Sequence, residues 1–105
     1  MNFEIAWSDQ AKNQLRIIHD YFKEVAGDKI ALSLTHRILV KPRILLKHPN
    51  IGQIEESRAV KGRGFRYLVE GNYKIIYKVI ENDQKILIAA VFDTRQNPDK
   101  MRVNT

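Results

Sequence analysis

Cysteine is absent from the 105-residue sequence. Its absence excludes disulfides, thiolate nucleophiles, cysteine zinc sites and iron–sulfur clusters, and it favours a reducing compartment, so we expect a cytoplasmic protein. Long hydrophobic runs are also missing. The longest, Ile86 to Phe92, has seven residues, whereas a transmembrane helix needs about 20. We therefore expect no interaction with membranes, and the length favours a single domain over residues 1–105.

Negative charge is in short supply, since 18 Lys and Arg outnumber 12 Asp and Glu and give a net charge of +6. Between Arg58 and Lys78 the only carboxylate is Glu70. Such a stretch suits a polyanion or an acidic protein segment, although lysines on exposed strands also prevent sheet edges from aggregating. The cations of this stretch are Arg58, Lys61, Arg63, Arg66, Lys74 and Lys78.

The sequence also lacks the common catalytic and metal-binding motifs. It has no His-Glu-x-x-His, no phosphate-binding Walker loop and no Gly-x-Ser-x-Gly. The spacing of His19, His36 and His48 suits neither a metal site nor a proton relay. Glu55 and Glu56 are adjacent in a predicted loop, where we expect them to face solvent. Neither a metal nor a cofactor is predicted.

Apolar periodicity predicts one strand and a long helix at the start of the chain. Residues alternate between apolar and polar over Phe3–Trp7, as in a half-buried strand. Ser8 is a good N-cap, and apolar residues then recur at steps of three and four. This pattern predicts a helix over Asp9–Ala26 that ends at Gly27.

A second helix is predicted from Asp28, with an apolar stripe that continues to Leu45. Pro42 lies within this stripe, and proline removes a backbone donor, so we expect a kink or a break near residues 40–41. The short link between the two helices predicts an antiparallel helical hairpin, which ends at His48–Gly52.

The remaining chain is predicted to be β. The predicted fold class is α+β, with an N-terminal strand, a two-helix antiparallel hairpin on one face of the sheet and a three-stranded antiparallel meander. The meander strands are Phe65–Val69, Tyr73–Ile80 and Lys85–Phe92, and Ser57–Lys61 is a further segment that could pair before Phe65.

Alternation along the second meander strand separates a core face from a basic face. Tyr73, Ile75, Tyr77 and Val79 suit the core, and we expect the helices to cover them. The opposite face, with Lys74 and Lys78, is expected to be uncovered.

Two weaker signals have both a functional and an ordinary interpretation. The glycines around Arg63 could admit a phosphate or simply form a loop, and Tyr67 could stack on a base or pack.

This order of elements resembles the RelE/ParE superfamily, the toxins of bacterial type II toxin–antitoxin modules, which are associated with plasmid stabilization. The resemblance extends over essentially the whole chain. Its motifs are His48-Pro49-Asn50-Ile51-Gly52 after the helices, Tyr73-Lys74-Ile75-Ile76-Tyr77 in the sheet, and Phe92-Asp93-Thr94-Arg95-Gln96-Asn97-Pro98 after the last strand.

Two branches of the superfamily imply different activities. RelE-like members are metal-independent ribonucleases that cut mRNA on the ribosome, and ParE-like members inhibit DNA gyrase. RNA cleavage needs a proton acceptor, a proton donor and cations on the phosphate. The resemblance places Lys74 and Arg95 at the cationic positions, and a lysine base would be Lys61 or Lys74. No His or Tyr follows Asp93, so the ParE-like branch is favoured; the protein is an enzyme only if it is RelE-like.

The resemblance also implies a cognate antitoxin that covers the basic face, so that the toxin forms a hetero-oligomer. We expect Ile76 and Ile80 to contact the antitoxin because they share a strand face with two lysines. The alternative is that they pack against the C-terminal tail. The residues predicted to contact gyrase, or the ribosome and mRNA, are Arg58, Lys61, Arg63, Arg66, Lys74, Lys78 and Arg95.

Overall fold

The computed structural model describes residues 2–104, which form a five-stranded sheet and two α-helices. None of the helices in this part of the chain is long and apolar enough to cross a membrane. The elements are β1 (Glu4–Trp7), α1 (Asp9–Ala26), α2 (Asp28–Val40), a 3-10 helix (Lys41–Leu46), β2 (Gln53–Ile54), β3 (Phe65–Glu70), β4 (Tyr73–Ile80) and β5 (Lys85–Asp93). The predicted α+β class is confirmed.

The helix ends follow from local chemistry, and α1 has the predicted bounds. The Ser8 hydroxyl accepts a hydrogen bond from the Ala11 N–H at 3.0 Å, which caps the first turn. Gly27 ends α1 with φ of 94°, a conformation that residues with a Cβ rarely adopt. The second helix breaks as expected at Pro42, because α2 ends at Val40 and the chain continues as a 3-10 helix.

The sheet has the order β1-β5-β4-β3-β2. The predicted antiparallel meander of β3, β4 and β5 is present, and β1 pairs with β5 in parallel, so the sheet is mixed. The expectation that Ser57–Lys61 pairs before Phe65 is wrong. The carbonyl of Ser57 accepts hydrogen bonds from the N–H groups of Val60 and Lys61, which makes turns. The strand beside β3 is β2.

Both faces of the sheet are covered, each by a different kind of structure. On the helix-covered face, β4 and β5 pack against residues of α1, α2 and the 3-10 helix, such as Ala11, Ile38 and Leu45. On the loop-covered face, Val60 and Met101 are fully buried against the same two strands. The expectation of an uncovered second face is therefore wrong. Its cover consists of residues 57–64, the turn segment, and residues 101–103, the tail.

Candidate functional site

The seven cations predicted to contact a target do not form a single basic face. They lie in four places. Lys74 and Lys78, with Arg63, contact aromatic rings on the loop-covered face; Arg66 faces the helix-covered side; Arg95 follows β5; and Arg58 and Lys61 are exposed on the turn segment.

Lys74 is held by a buried carboxylate. Its Nζ lies 2.9 Å from Oε1 of Glu55 and 4.2 Å from the centroid of the Tyr67 ring. Glu55 is only 3% exposed, and its second oxygen accepts the N–H of Ser57 at 3.0 Å. The expectation that Glu55 faces solvent is wrong, because its backbone N–H bonds to the Phe65 carbonyl and continues the β2–β3 ladder. Lys74 is thus part of an internal ion pair.

Lys78 and Arg63 lie around one ring at the edge of the loop-covered face. The Lys78 Nζ is 5.4 Å, and the Arg63 Cζ 5.3 Å, from the centroid of Phe65. Both distances fit cation–π contacts, which leave the positive charge in place at the surface. Arg63 is exposed and also donates to the Ala59 carbonyl at 3.2 Å.

The turn segment presents two further cations to solvent, Arg58 and Lys61. The chain reverses direction here, and Gly62 and Gly64 have φ of 78° and 84°. Glycine adopts this left-handed conformation with little strain, so the turn alone accounts for the pair of glycines. The glycines around Arg63 are therefore explained by the loop, without a role in binding phosphate.

Arg66 anchors the loop that follows the helices. It donates to the carbonyls of Gly52 at 2.8 Å and Asn50 at 3.2 Å. Tyr77, its partner across the strands, donates to the Pro49 carbonyl at 2.8 Å and accepts the Gly52 N–H at 2.9 Å. Burial raises the pKa of Tyr77, so its hydroxyl stays protonated at neutral pH. The His48–Gly52 motif therefore has a structural role, since it attaches the loop after the helices to β3 and β4.

Arg95 forms a bidentate ion pair with Asp93. Its Nε and Nη2 lie 3.0 Å and 2.8 Å from the two carboxylate oxygens, and its backbone N–H donates to Asp93 at 2.9 Å. These hydrogen bonds lower the pKa of Asp93, which therefore remains ionised at neutral pH. Neighbouring Tyr73 has a raised pKa, chiefly through burial and secondarily through the charge of Asp93.

A cleft of about 520 Å³ opens beside α1, next to this ion pair, and the sequence reasoning did not find it. The cleft is lined by Ile17 and Tyr21 of α1, by the end of β5, and by Lys100 and Arg102 of the C-terminal segment. A signal was present in the sequence, because Ile17, Tyr21 and Val25 recur every four residues just outside the core stripe of α1.

The two isoleucines predicted to contact an antitoxin differ in exposure. Ile76 is fully buried in the cluster that includes Val60 and Met101, so its expected exposure is wrong. Ile76 is buried because the turn segment and the tail cover this face, which agrees with the alternative that it packs against the tail. Ile80, at the end of β4, is half-buried.

The three residues considered for ribonuclease chemistry are not brought together. Lys74 faces Glu55 on the loop-covered face, whereas Arg95 contacts Asp93 and Tyr73 on the helix side. Lys61 lies on the exposed turn segment. Within residues 2–104 there is also no cluster of three or more side chains that could hold a metal ion.

Comparisons with known proteins identify the family. Among solved structures, the chromosomal ParDE toxin–antitoxin system from P. aeruginosa matches with a TM-score of 0.72 at 20% identity, covering 87% of this chain and 95% of that one. The RelBE2 toxin–antitoxin complex from Mycobacterium tuberculosis matches with a TM-score of 0.55 at 14% identity, covering 89% and 99%. No curated protein sequence matches. The family model described as the ParE toxin of the type II toxin–antitoxin system parDE matches residues 5–98, and the chain belongs to this toxin family.

Proposed function

We propose that this toxin acts by inhibiting DNA gyrase, as the resemblance to ParE-like members implies, and that residues 1–105 act as one domain in the bacterial cytoplasm. The observation that carries the proposal is the placement of Lys74 and Arg95. They lie on different sides of the sheet, and each is paired with a carboxylate. Such an arrangement favours a protein that binds its target over one that cleaves RNA.

The positions of the possible proton donors and acceptors also argue against RNA cleavage. Ribose-directed cleavage needs an acid and a base within hydrogen-bond reach of the same phosphodiester. His19 and His36 lie on the helices, and His48 follows the 3-10 helix, whereas Lys74 lies on the loop-covered face. The ionised state of Asp93 makes it a poor proton donor at neutral pH.

On this proposal, the target is bound by the cations that remain at the surface. Arg66 and Lys74 are engaged inside the molecule, by loop carbonyls and by Glu55 respectively. We assign target contacts to the turn segment and its neighbour on β4. The assigned residues are Arg58, Lys61, Arg63 and Lys78.

The test is a pair of assays with the purified protein. We expect it to stop DNA supercoiling by gyrase and to leave mRNA intact during translation in vitro. The triple substitution R58A/K61A/R63A should weaken inhibition by about tenfold or more, since each lost charge contact contributes to binding. The matched control is K29A/R43A/K47A, which removes the same charge from exposed positions of the helical layer and the loop after it. Cleaved mRNA with normal supercoiling would support the RelE-like alternative instead.

We further propose that a cognate antitoxin neutralises the toxin in a hetero-oligomer. The two similar structures described above come from a ParDE toxin–antitoxin system and from a RelBE2 toxin–antitoxin complex. Expression of this chain alone in a bacterial host should arrest growth, and co-expression of the protein encoded by the adjacent gene should restore it.

A further inference from the structure

We propose that a stripe of cations over the loop-covered face binds duplex DNA through its phosphate groups, without reading the base sequence. This basic stripe consists of Arg58, Lys61, Arg63, Lys78 and Arg102. The inference deepens the proposed function and rests on it for the source of the DNA, which is the duplex on which gyrase acts. It assigns the target contacts of the stripe to the nucleic acid and not to the protein surface of the enzyme.

Contacts on the page of the molecule's surface join these cations into one continuous stripe. Arg58 and Arg102 line the same surface pocket, where the turn segment meets the tail. Arg63 donates at 3.2 Å to the carbonyl of the residue that follows Arg58. The Arg63 Cζ and the Lys78 Nζ lie 5.3 Å and 5.4 Å from the centroid of the Phe65 ring. The charges therefore follow one another from the tail, across the turn segment, to β4.

The basic stripe keeps most of its positive charge. Glu56 is the last carboxylate before the turn segment, and the next one along the chain comes only at the end of β3. In the part of the chain that the structure describes, no ion pair with a carboxylate involves Arg58, Lys61 or Arg102. Asp99 lines the pocket beside Arg58 and lowers the charge at that end alone. Cations of this kind can neutralise phosphates and release their counterions, which supplies most of the affinity of sequence-independent DNA binding.

The segments that carry most of the stripe lack the apolar centre of a protein-binding surface. Protein interfaces depend on a few large side chains that become buried at their centre. Among residues 2–104, the exposed large hydrophobic side chains all lie outside the turn segment and the tail, where Val60 and Met101 are fully buried. Exposed charge without exposed apolar area favours a polyelectrolyte such as DNA over an acidic protein segment.

The aromatic rings near the stripe favour a duplex over a single strand. Proteins that bind single strands stack the unpaired bases on exposed rings. Phe65 is only 1% exposed and lies beneath Arg63 and Lys78, so it offers no face to a base. The ring of Tyr67 is occupied by the Nζ of Lys74, 4.2 Å from its centroid. Unpaired bases would gain no stacking here, whereas the phosphates of a duplex can reach the cations.

The experiment measures binding of a short labelled DNA duplex to the purified toxin by fluorescence anisotropy at several salt concentrations. The logarithm of the affinity should fall against the logarithm of the salt concentration, with a slope of about 0.9 for each phosphate contacted. R58A/K61A removes two contacts and should reduce the slope by about 1.8. The control R43A/K47A removes the same charges from exposed positions of the helical layer and the loop after it, and should leave the slope unchanged. R58K/K61R keeps the charge and should also keep the slope.

Three results would overturn the proposal. The first is an R58A/K61A slope that falls no more than that of R43A/K47A, or no binding of the wild type at low salt. The second is tighter binding of the single strand than of the duplex, or a strong preference among duplexes of different sequence, since phosphate contacts carry no sequence information. The third is a loss of affinity for DNA-free gyrase in R58A/K61A, measured by titration calorimetry, that equals its loss of inhibition. In that case the cations contact the protein.

The proposed function is tested separately, because DNA binding by the toxin is measured without gyrase. If the duplex binds with the expected slope while supercoiling by gyrase is unaffected, gyrase inhibition fails and the DNA-binding stripe stands. If the toxin stops supercoiling but DNA binding does not depend on Arg58 and Lys61, only the DNA-binding stripe fails.

Discussion

Ile76 and Tyr77 are neighbours on β4, and both side chains are fully buried, but they lie on opposite faces of the sheet. Tyr77 lies beneath α-helices and the 3-10 helix, whose apolar stripes are continuous. Ile76 lies beneath the turn segment and the tail, which have no regular hydrogen-bonded structure of comparable length. Regular and irregular cover can therefore exclude water equally well.

The difference lies in what holds each cover in place. The helix-covered face relies on many apolar contacts, and the Tyr77 hydroxyl fixes one loop. The loop-covered face has a smaller apolar cluster around Val60 and Met101, and a few polar contacts join the segments that cover it. Glu55 joins Lys74 to Ser57, and the Ser57 hydroxyl lies 3.1 Å from the Met101 sulfur. Irregular cover depends on particular side chains, so single substitutions should affect the two faces differently.

The largest expected effect is that of Tyr77→Ala on the helix-covered face. It removes a fully buried ring and both of its hydrogen bonds, and should lower the free energy of unfolding by about 4 kcal/mol. Urea denaturation measures the change. Tyr77→Phe keeps the ring and is the control, with an expected loss of about 1.5 kcal/mol. Equal losses for the two variants would show that the ring contributes little.

Ile76→Ala tests the irregular cover directly. If the turn segment and the tail stay closed in solution, the substitution leaves a cavity and costs about 3 kcal/mol in the free energy of unfolding. Ile80→Ala, at a half-buried position on the same face, is the control and should cost about 1 kcal/mol. Should Ile80→Ala prove the more costly of the two, this cover is open in solution.

Lys74→Ala tests the polar contacts that hold the cover. It leaves the Glu55 carboxylate buried without its cation, and we expect a loss of about 2 kcal/mol. The value is below that for a fully buried pair because the Lys74 side chain is 25% exposed. The double variant E55Q/K74A should recover most of the loss, and together with the single variants E55Q and K74A it completes a double-mutant cycle measured by urea denaturation. Additive losses would mean that the two side chains do not interact. This prediction corrects the sequence-based expectation that Lys74 lies outside the folded core.

The smallest effect concerns Asp93 and the pH dependence of stability. Arg95 lowers the pKa of Asp93 in the folded state below its unfolded value of about 3.9. The stabilisation is therefore complete above about pH 5 and is lost as the pH falls through the folded pKa. Thermal melts of the wild type and Asp93→Asn should differ by a constant amount from about pH 5 to 8 and converge at lower pH. A difference that persists at about pH 2 would contradict the ion pair.

Local signals were enough to predict both α-helices and four of the five strands, all except β2. The cap at Ser8, the glycine at Gly27 and the proline at Pro42 act within a few residues of their positions, so the sequence shows where each helix ends. Alternation along β4 also separated Tyr77 from Lys74 correctly. These features depend on backbone geometry and periodicity, which a short window of sequence contains.

The site was harder to predict because its contacts join distant segments. Ser57 meets Met101 across 44 residues, and neither position carries a periodic pattern that indicates the other. The burial of Glu55 follows from that cover and from β2, a strand of only two residues. The pairing of Arg95 with Asp93 could have been predicted, because the two residues are only two positions apart. Its bidentate geometry depends on the turn after β5.

The parallel pairing of β1 with β5 has a consequence for synthesis of the protein. Ser8 and Ala89, which hydrogen-bond where these strands meet, are 81 residues apart. A chain emerging from the ribosome cannot fix its first strand until almost all of the domain has been made, and contacts of such high sequence separation form slowly. The domain therefore completes its fold only after β5 has left the ribosome.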